Sequence, residues 1–595
     1  MMKKLLSGDE AIAYGAWRAG VKFASAYPGT PSTEILEAFA RLPNIYAEWA
    51  PNEKVAVEVG IGSAMAGVRT LVAMKHVGVN VAADPLMTFT YTGVNAGFVL
   101  ISADDPEMHS SQNEQDNRLF ARFAGMPLLE PADSQEAYDF IAYALDISER
   151  FDLPVMVRLT TRLAHSKTVV EIDEEALEAP QRAYRRDIKK YVMMPIYAIP
   201  RHKSLLERLA GVQAEAEKSS LQKMEMQDTG IGVITSGIPY QYARELLPTA
   251  SFLKLSLTNP LPVEMIRRFA KQVKRLLIIE ELEPYIEEQI KALGIECEGK
   301  IFTSRLGELT PERLAVALQK AGLKPAFKPT GIEPLPVLGR PPVLCPGCGH
   351  RAVFTLLKKT GAHVFGDIGC YTLAALPPLE TVHTCICMGA SIGNAVGMAK
   401  AGGNQKPIVA VIGDSTFIHS GITGLIEAVY NNARVTIIIL DNGITAMTGG
   451  QQHPSTGKTL METDAPRLDL ETLCKSVGIK RFWRLDPLNH DDFEAALNES
   501  FQADGPAVII AERPCQLYPT RQARVPMMVI SELCNGCGAC LRVGCPAIFT
   551  TGELSSEGLP KVTIDSELCT GCEVCAWVCK PDAIKFPVEE EVERG

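Results

Sequence analysis

Eight of the sixteen cysteines fall between Cys534 and Cys579, in two tracts: Cys534-x2-Cys537-x2-Cys540-x4-Cys545-Pro546 and Cys569-x2-Cys572-x2-Cys575-x3-Cys579-Lys580-Pro581. The segment that holds them, 525–587, is too short and too poor in apolar residues to stand on a hydrophobic core, so bound metal must help stabilise it. A secreted disulfide scaffold would be short and cysteine-dense throughout, whereas the rest of this chain is a long α/β sequence. The thiols therefore read as metal ligands in a reducing compartment. Four thiolates in each tract suit two iron–sulfur cubanes. Tetrahedral zinc is the alternative, because Cys-x2-Cys pairs serve it too.

This segment resembles a bacterial-type two-cluster ferredoxin domain. The resemblance implies that three thiolates of each tract grip one cubane while the fourth serves the other. One [4Fe-4S] cluster would then be held by Cys534, Cys537, Cys540 and Cys579, the other by Cys569, Cys572, Cys575 and Cys545. The first tract has four residues before its last cysteine, where the usual pattern has three. That departure falls on Cys545 and leaves the nuclearity of its cluster open.

A chain of 595 residues needs several cores, and we expect about four domains. With 46% apolar and 22% charged residues it is neither disordered nor collagen-like. Its net charge of -11 repels phosphate backbones, so nucleic acid is excluded as a partner. No run reaches 18 uncharged apolar residues, and Met1-Met2-Lys3-Lys4-Leu5 leads into Gly8-Asp9-Glu10 without a signal-peptide core. The expectation is a soluble cytoplasmic protein without membrane contact.

Three stretches alternate strand-like and helix-like patterns, which predicts doubly wound parallel sheets. In the first, 1–170, Ser7-Gly8-Asp9-Glu10 forms a capping box for a helix running to about Gly20. Strands are expected at Val21–Ala26, Thr70–Met74, Gly97–Ile101 and Pro154–Leu159, and Thr30 is expected to cap a helix with Pro31 at its first position. A charged connector with surface helices, 171–228, carries Arg185-Arg186 and Lys189-Lys190. The second stretch, 229–325, has strands at Ile231–Ile234, Phe252–Leu255 and Leu276–Ile279. Its Glu280-Glu281-Leu282-Glu283 reads as a solvated helix start. A Pro-rich linker, 326–342, precedes the third stretch, 343–522, and the cysteine tail at 525–587 follows. The fold class is α/β, three parallel-sheet domains plus the small ferredoxin-like domain.

In the third stretch, the apolar run Pro407–Ile412 ends in Gly413-Asp414-Ser415, and Val435–Leu440 ends in Asp441-Asn442-Gly443. Both ends fall at the carboxyl edge of neighbouring parallel strands, where such sheets bind ligands. Asp414 and Asn442 supply hard oxygen donors for Mg2+, with the Ile444 carbonyl as a third and diphosphate oxygens and water completing the shell. Gly413 and Gly443 let phosphates come close to the backbone. A surface turn would produce this pattern as well.

The spacing resembles the thiamine-diphosphate motif, and the resemblance extends to its neighbours. Cys387-Met388-Gly389-Ala390-Ser391-Ile392-Gly393 resembles the helix start that contacts the middle of the cofactor, with Met388 either wedging it into its bent shape or simply facing the core. In the first stretch, Asn52-Glu53-x2-Ala56-x5-Gly62-x-Ala64-x-Ala66-Gly67 resembles the pyrimidine-domain helix, with Glu53 in the catalytic place. A carboxylate there promotes the imino form that takes the proton from thiazolium C2. Glu58 is the other acid, on a different helix face. Thr448-Gly449-Gly450-Gln451 resembles the loop that follows the motif in ferredoxin-dependent enzymes.

Taken together, nearly the whole chain is similar to the large subunits of the indolepyruvate:ferredoxin oxidoreductases, within the thiamine-diphosphate-dependent 2-oxoacid:ferredoxin oxidoreductase family. That resemblance implies pyrimidine, transketolase C-terminal-like, diphosphate and ferredoxin domains in order. It implies an enzyme that turns an aryl 2-oxoacid and coenzyme A into aryl-acetyl-coenzyme A and carbon dioxide while reducing ferredoxin. It also implies a smaller second subunit in a hetero-oligomer such as α2β2. Tyr27-Pro28-Gly29-Thr30-Pro31-Ser32 resembles the substrate loop, so Thr30 is expected to donate to the 2-oxoacid, and Arg118 is a candidate for its carboxylate. Cys345, Cys348, Cys370 and Cys515 resemble the set that holds a third cubane beside thiamine in sister enzymes, although Cys345 and Cys348 also suit a packed turn. Cys385 and Cys387 read as packing residues, and Cys297 and Cys474 as isolated thiols. A different 2-oxoacid such as pyruvate, a non-oxidative thiamine decarboxylase, and an electron-transfer subunit with a vestigial thiamine fold remain alternatives.

Overall fold

The computed structural model describes residues 2–179, 182–327, 339, 341–402, 405–518 and 525–587. Most of the expected linker (328–338 and 340), residues 180–181 of the connector and 519–522 of the third stretch lie outside the described residues. The chain divides into two compact units, Met1–Leu335 with Leu460–Glu462, and Pro336–Thr459 with Thr463–Gly595.

In the first unit a seven-stranded sheet runs in the order Leu257–Asn259, Leu128–Leu129, Val155–Thr160, Phe98–Asp104, Thr70–Lys75, Phe23–Ala26, Tyr46–Trp49. Pairing is parallel throughout except at the first strand. The central strands are buried along their whole length, as expected for a parallel sheet covered on both faces. Ser7 and Glu10 close the capping box for the helix Gly8–Arg18, which ends two residues before Gly20. A strand not foreseen, Met2–Ser7, pairs antiparallel with Lys167–Ile172. The helix expected at Thr30 instead begins at Thr33, with Ser32 before it. The chain first closes a turn in which Ser32 N–H donates to the Gly29 carbonyl (2.8 Å) and Thr33 Oγ1 accepts from Gly29 N–H (2.9 Å).

The second stretch forms a four-stranded sheet with the end of the connector, Arg275–Ile279, Asp228–Ser236, Ala250–Leu255 and the connector's Lys223–Glu225, the last antiparallel. Three observations tie it to the first sheet. Leu257–Asn259 adds an edge strand to the seven-stranded sheet. The connector's helix Pro195–Ala216 is docked rather than solvated: Leu205, Val212 and Ala216 join the first core. Arg201 and Arg208 of that helix donate to Asp152 and to the carbonyls of Thr90, Tyr91 and Thr92. Finally, Glu280 and Glu281 are buried, which corrects the expected solvated helix start. Glu280 accepts from the N–H groups of Ile286 and Glu287 and so caps the helix Tyr285–Ala292 from inside.

The second unit contains an all-parallel five-stranded sheet in the order His363–Phe365, Ile408–Gly413, Thr436–Asp441, Ala507–Glu512, Arg481–Leu485. The cysteine tail packs on this domain as two small antiparallel strand pairs, Ile548–Leu554 with Pro560–Ile564 and Met528–Val529 with Ile584–Lys585. Trp577 stacks on His490 (centroids 4.5 Å apart) with Lys359 Nζ 3.4 Å from its ring centroid, fastening the tail in place. Among the described residues no helix is long and apolar enough to cross a membrane.

Candidate functional site

Each tail tract wraps a separate cavity. Cys534, Cys537, Cys540 and Cys579 line one, and Cys545, Cys569, Cys572 and Cys575 line the other. Both quartets thus draw three cysteines from one tract and the fourth from the other. The extra residue of the first tract is absorbed at Gly544, which takes a left-handed conformation (φ 71°) after the short 3-10 turn Leu541–Val543. A Cβ there would meet Pro378 Cδ at 2.9 Å, so both backbone and space require glycine. The donor set is all thiolate in walls that are otherwise largely apolar, which fits sulfide-bridged iron.

In the five-stranded sheet, Gly413-Asp414-Ser415 and Asp441-Asn442-Gly443 end adjacent strands, Ile408–Gly413 and Thr436–Asp441. Asp414 is buried and accepts from Ser415 N–H (2.8 Å) and Gly443 N–H (2.9 Å), with His453 Nε2 3.4 Å away. Burial works to raise its pKa, but His453 and these donors hold it below the ordinary carboxylate range. Burial and the Asp414 charge push Asp441 up to about 7. A buried, ionised Asp414 that raises the proton affinity of the acid beside it suits a divalent cation. Asn442 is half-buried; its Oδ1 accepts from Ile444 N–H (3.1 Å), and Ile444 itself is buried. A Cβ on Gly443 (φ 71°) would meet nothing within 4 Å, which leaves the open approach that a diphosphate needs. Ser415 Oγ accepts from Thr445 Oγ1 at 3.0 Å.

Met388 is half-buried, and its carbonyl accepts from Ser420 Oγ (2.9 Å). The N–H groups of Gly389 (2.8 Å) and Ser391 (3.0 Å) both donate to Asp367, so neither is a free donor to a phosphate. Asp367 caps the start of the helix Ala390–Lys400. It was not singled out in the sequence, because the two stretches are more than 20 residues apart and only Gly366-Asp367, a pair found at many strand ends, marks it.

Cys345, Cys348, Cys370 and Cys515 come together as a third group. Burial raises the proton affinity of the first three, and within the set Cys515 adds to that of Cys345 and Cys370, Cys345 to that of Cys348 and Cys370, and Cys370 to that of Cys348. Cys515 N–H donates to the Asn442 carbonyl (3.1 Å), which links this group to the metal-site turn. Cys385 is half-buried with its thiol on the Asp367 carbonyl (3.7 Å), and Cys474 is a core thiol. Cys387 is exposed and Cys297 half-buried, so the packing role expected for Cys387 does not hold.

In the first unit Glu53 opens the helix Glu53–Met65 after the N-cap Asn52, whose Oδ1 accepts from Val55 N–H (2.9 Å). It is buried, and a Cβ on Gly78 would stand 2.6 Å from its Oε1. Glu58 is exposed and paired with Lys54. Five helical residues separate them by about 140°, which puts one acid inside and the other in solvent. Thr30 is half-buried, its carbonyl accepting from Ser110 Oγ (3.2 Å).

Arg118 departs from expectation. It is 1% exposed and every guanidinium nitrogen is engaged. Nε donates to Asp116 Oδ1 (2.9 Å), Nη1 to Glu280 Oε2 (2.8 Å), and Nη2 to Asp116 Oδ2 (2.6 Å) and the carbonyls of Glu281 (2.7 Å) and Glu283 (3.0 Å). Its charge is already met by the buried carboxylates of Asp116 and Glu280, and it joins the two sheets of its unit. A cation that the sequence reading missed, Lys75, ends the strand Thr70–Lys75 and packs under the Thr30 turn, its Cβ 3.2 Å from where a Gly29 Cβ would be. Nζ donates to the Ser110 carbonyl (2.7 Å) and Oγ (3.0 Å). Burial, opposed by Asp105, lowers its pKa to about 8. Its position at a strand end before His76 was the available signal.

Residues 367–511 match the family described as thiamine pyrophosphate enzyme, C-terminal TPP binding domain. Residues 14–227 match the thiamine diphosphate-binding domain of pyruvate flavodoxin/ferredoxin oxidoreductase, and 533–583 match the 4Fe-4S dicluster domain. The last match decides between cubanes and zinc in favour of cubanes. Over almost its whole length the chain is similar to proteins named indolepyruvate oxidoreductase subunit IorA. Identity is 40% with that of Archaeoglobus fulgidus (98% of this chain, 97% of that protein) and 38% with that of Pyrococcus abyssi (99% and 97%). With that of Methanothermobacter thermautotrophicus it is 37% (98% and 97%).

Proposed function

The chain belongs to the family of indolepyruvate oxidoreductase IorA subunits, and from that premise we propose that it oxidises aryl 2-oxoacids, indolepyruvate and related aryl pyruvates, with coenzyme A to aryl-acetyl-coenzyme A and carbon dioxide. It is an oxidoreductase of 2-oxoacids that uses thiamine diphosphate and passes electrons through iron–sulfur clusters to ferredoxin, together with a partner subunit. The observation that carries the oxidative reading is the pair of four-cysteine cavities in the same unit as the Asp414–Asn442 turns. A plain decarboxylase needs no one-electron carrier.

When bound, thiamine diphosphate would supply the electron sink that decarboxylation of a 2-oxoacid needs. The chain's own residues do the rest. Glu53 holds a proton between its carboxylate and the pyrimidine ring nitrogen. Asp414, Asn442 and the Ile444 carbonyl hold Mg2+, while Gly413, Ser415 and Gly443 border the diphosphate and Met388 with Gly389 border the middle of the cofactor. Thr30 Oγ1 donates to the 2-oxoacid, and protonated Lys75, in place of Arg118, faces its carboxylate. Cys534, Cys537, Cys540 and Cys579 ligate one [4Fe-4S] cluster, and Cys545, Cys569, Cys572 and Cys575 the other. Cys345, Cys348, Cys370 and Cys515 hold a third, next to the metal-site turn. The working assembly is an α2β2 hetero-oligomer in the cytoplasm.

The test is an anaerobic assay of the complex with its small subunit, comparing indolepyruvate, phenylpyruvate, 4-hydroxyphenylpyruvate and pyruvate. We expect ferredoxin reduction and acyl-coenzyme A with the aryl acids. A preference for pyruvate would overturn the aryl assignment, and an aldehyde without ferredoxin reduction the oxidative one. Iron analysis tests the third cluster: about twelve atoms per chain are expected, and about eight would remove it.

A further inference from the structure

Arg351 lies in the helix Gly349–Thr360 of the diphosphate domain and is 1% exposed. Nη1 donates to the Val543 carbonyl in the tail (2.8 Å), and Nη2 to the carbonyls of Leu344 and Cys345 (3.3 Å to the latter). Nε is buried without a hydrogen-bond partner, and among the described residues no carboxylate pairs with the guanidinium. A buried charge balanced only by carbonyl dipoles is costly. A chain that keeps such a charge has an anion to set against it.

The neighbouring cavity identifies that anion. Arg351 lines the cavity of Cys545, Cys569, Cys572 and Cys575. The other charged residue there, Glu573, is exposed and screened by water. Among the described residues the cavity of Cys534, Cys537, Cys540 and Cys579 has no charged residue in its lining. Its nearby arginine, Arg542, is exposed and donates only to the Cys537 carbonyl (3.3 Å).

We propose that Arg351 is a fixed counter-charge that raises the midpoint potential of the cluster held by Cys545, Cys569, Cys572 and Cys575 and leaves that of the other tail cluster unchanged. This rests on the ligand assignment given above. With four thiolates, one-electron reduction takes a cubane from a total charge of -2 to -3, the electron coming from oxidation of the 2-oxoacid. No bond to Arg351 forms or breaks and no proton moves, because guanidinium stays protonated throughout. A permanent cation in a dry site favours the more negative state, whereas the same charge in water does so weakly. The result is that a residue of the diphosphate domain sets the electron affinity of a cluster in the tail.

The experiment is an anaerobic redox titration of the full complex followed by electron paramagnetic resonance, with iron counted on the same samples. Arg351→Gln is expected to lower the reduced-to-oxidised ratio of one tail cluster at least tenfold at fixed potential, which is 59 mV for a one-electron couple. The other cluster should stay within threefold. Arg351→Lys keeps the charge and should shift the ratio less than threefold, and Arg542→Gln should move neither cluster. A Gln variant with full iron and unshifted couples overturns the proposal. If Gln loses the cluster, the Lys variant decides: a tenfold drop there, or loss of the cluster in both variants, assigns Arg351 to assembly and overturns the tuning role. If both wild-type tail signals survive Cys545→Ser, the ligand assignment itself falls and takes the counter-charge with it.

Discussion

Replacing Arg118 by Met distinguishes a structural cation from a substrate-binding one. The side chain is flush with two carboxylates that are themselves buried, Asp116 and Glu280, and with two carbonyls of the segment before the helix Tyr285–Ala292. Asp116 gives one measure of the coupling. Burial alone would raise its pKa, yet Arg118 and Arg158 hold it at about 2, against an ordinary 3.8. A displacement of about 2 units corresponds to roughly 2.5 kcal/mol, shared between the two arginines. Because the folded pKa is the lower one, this stabilisation is present above the unfolded value near 4 and is lost as pH falls toward 2. Removing the cation also leaves Glu280 unpaired, and breaking one side of a buried ion pair costs about 3–5 kcal/mol. Arg118→Met should therefore lower the unfolding midpoint of the complex in urea markedly. Adding Glu280→Gln should return part of the loss, because the stranded charge is then gone. Unfolding followed by circular dichroism at pH 7, with KM for the 2-oxoacid measured on folded material, reads both quantities. A variant with wild-type stability and a KM raised tenfold or more would refute this argument and restore Arg118 as the carboxylate's partner.

Glu53→Gln should cut ferredoxin reduction by about 100- to 10,000-fold while leaving iron content and unfolding unchanged; undiminished turnover would exclude this glutamate as the proton-holding group. Lys75→Met should raise KM for the 2-oxoacid more than it lowers kcat. In the wild type, KM should climb above about pH 8 as the ammonium loses its proton, since the folded pKa is depressed to that value; a flat KM between pH 7 and 9 would count against it. Gly544→Ala puts a Cβ on a left-handed residue and against Pro378. It should cost about 1–2 kcal/mol or more and lower iron by one cluster, about four atoms per chain, whereas full iron would mean that the extra residue of the first tract is not needed for ligation.

Several features were legible because their causes are local. The Ser7–Glu10 capping box closes within four residues. Apolar runs such as Ile408–Gly413 and Thr436–Asp441 came out as strands within one or two residues of the expected bounds, because a strand buried on both faces leaves a continuous apolar run. Glu53 was singled out by resemblance to the pyrimidine-domain helix, and helical geometry added only that Glu58 lies on a different face. The connector was misjudged for an equally clear reason. Arg201 and Arg208 look like surface charge until Asp152 and three carbonyls are brought beside them. Cys387 shows the reverse error, since a residue type that is usually packed was left at the surface.

By itself the order of residues determined the chemistry on offer: the spacing of the thiols, the polar ends of two neighbouring strands, and an acid at the start of a small-residue helix. What the tertiary structure alone decided is how polar side chains are spent. Arg118 meets Glu280 across 162 residues, Arg351 reaches Val543 across 192, and Leu257–Asn259 leaves its own stretch to extend another sheet. A buried charge can be kept only where a compensating group lies within a few ångströms, and which distant segment supplies that group depends on how the chain packs.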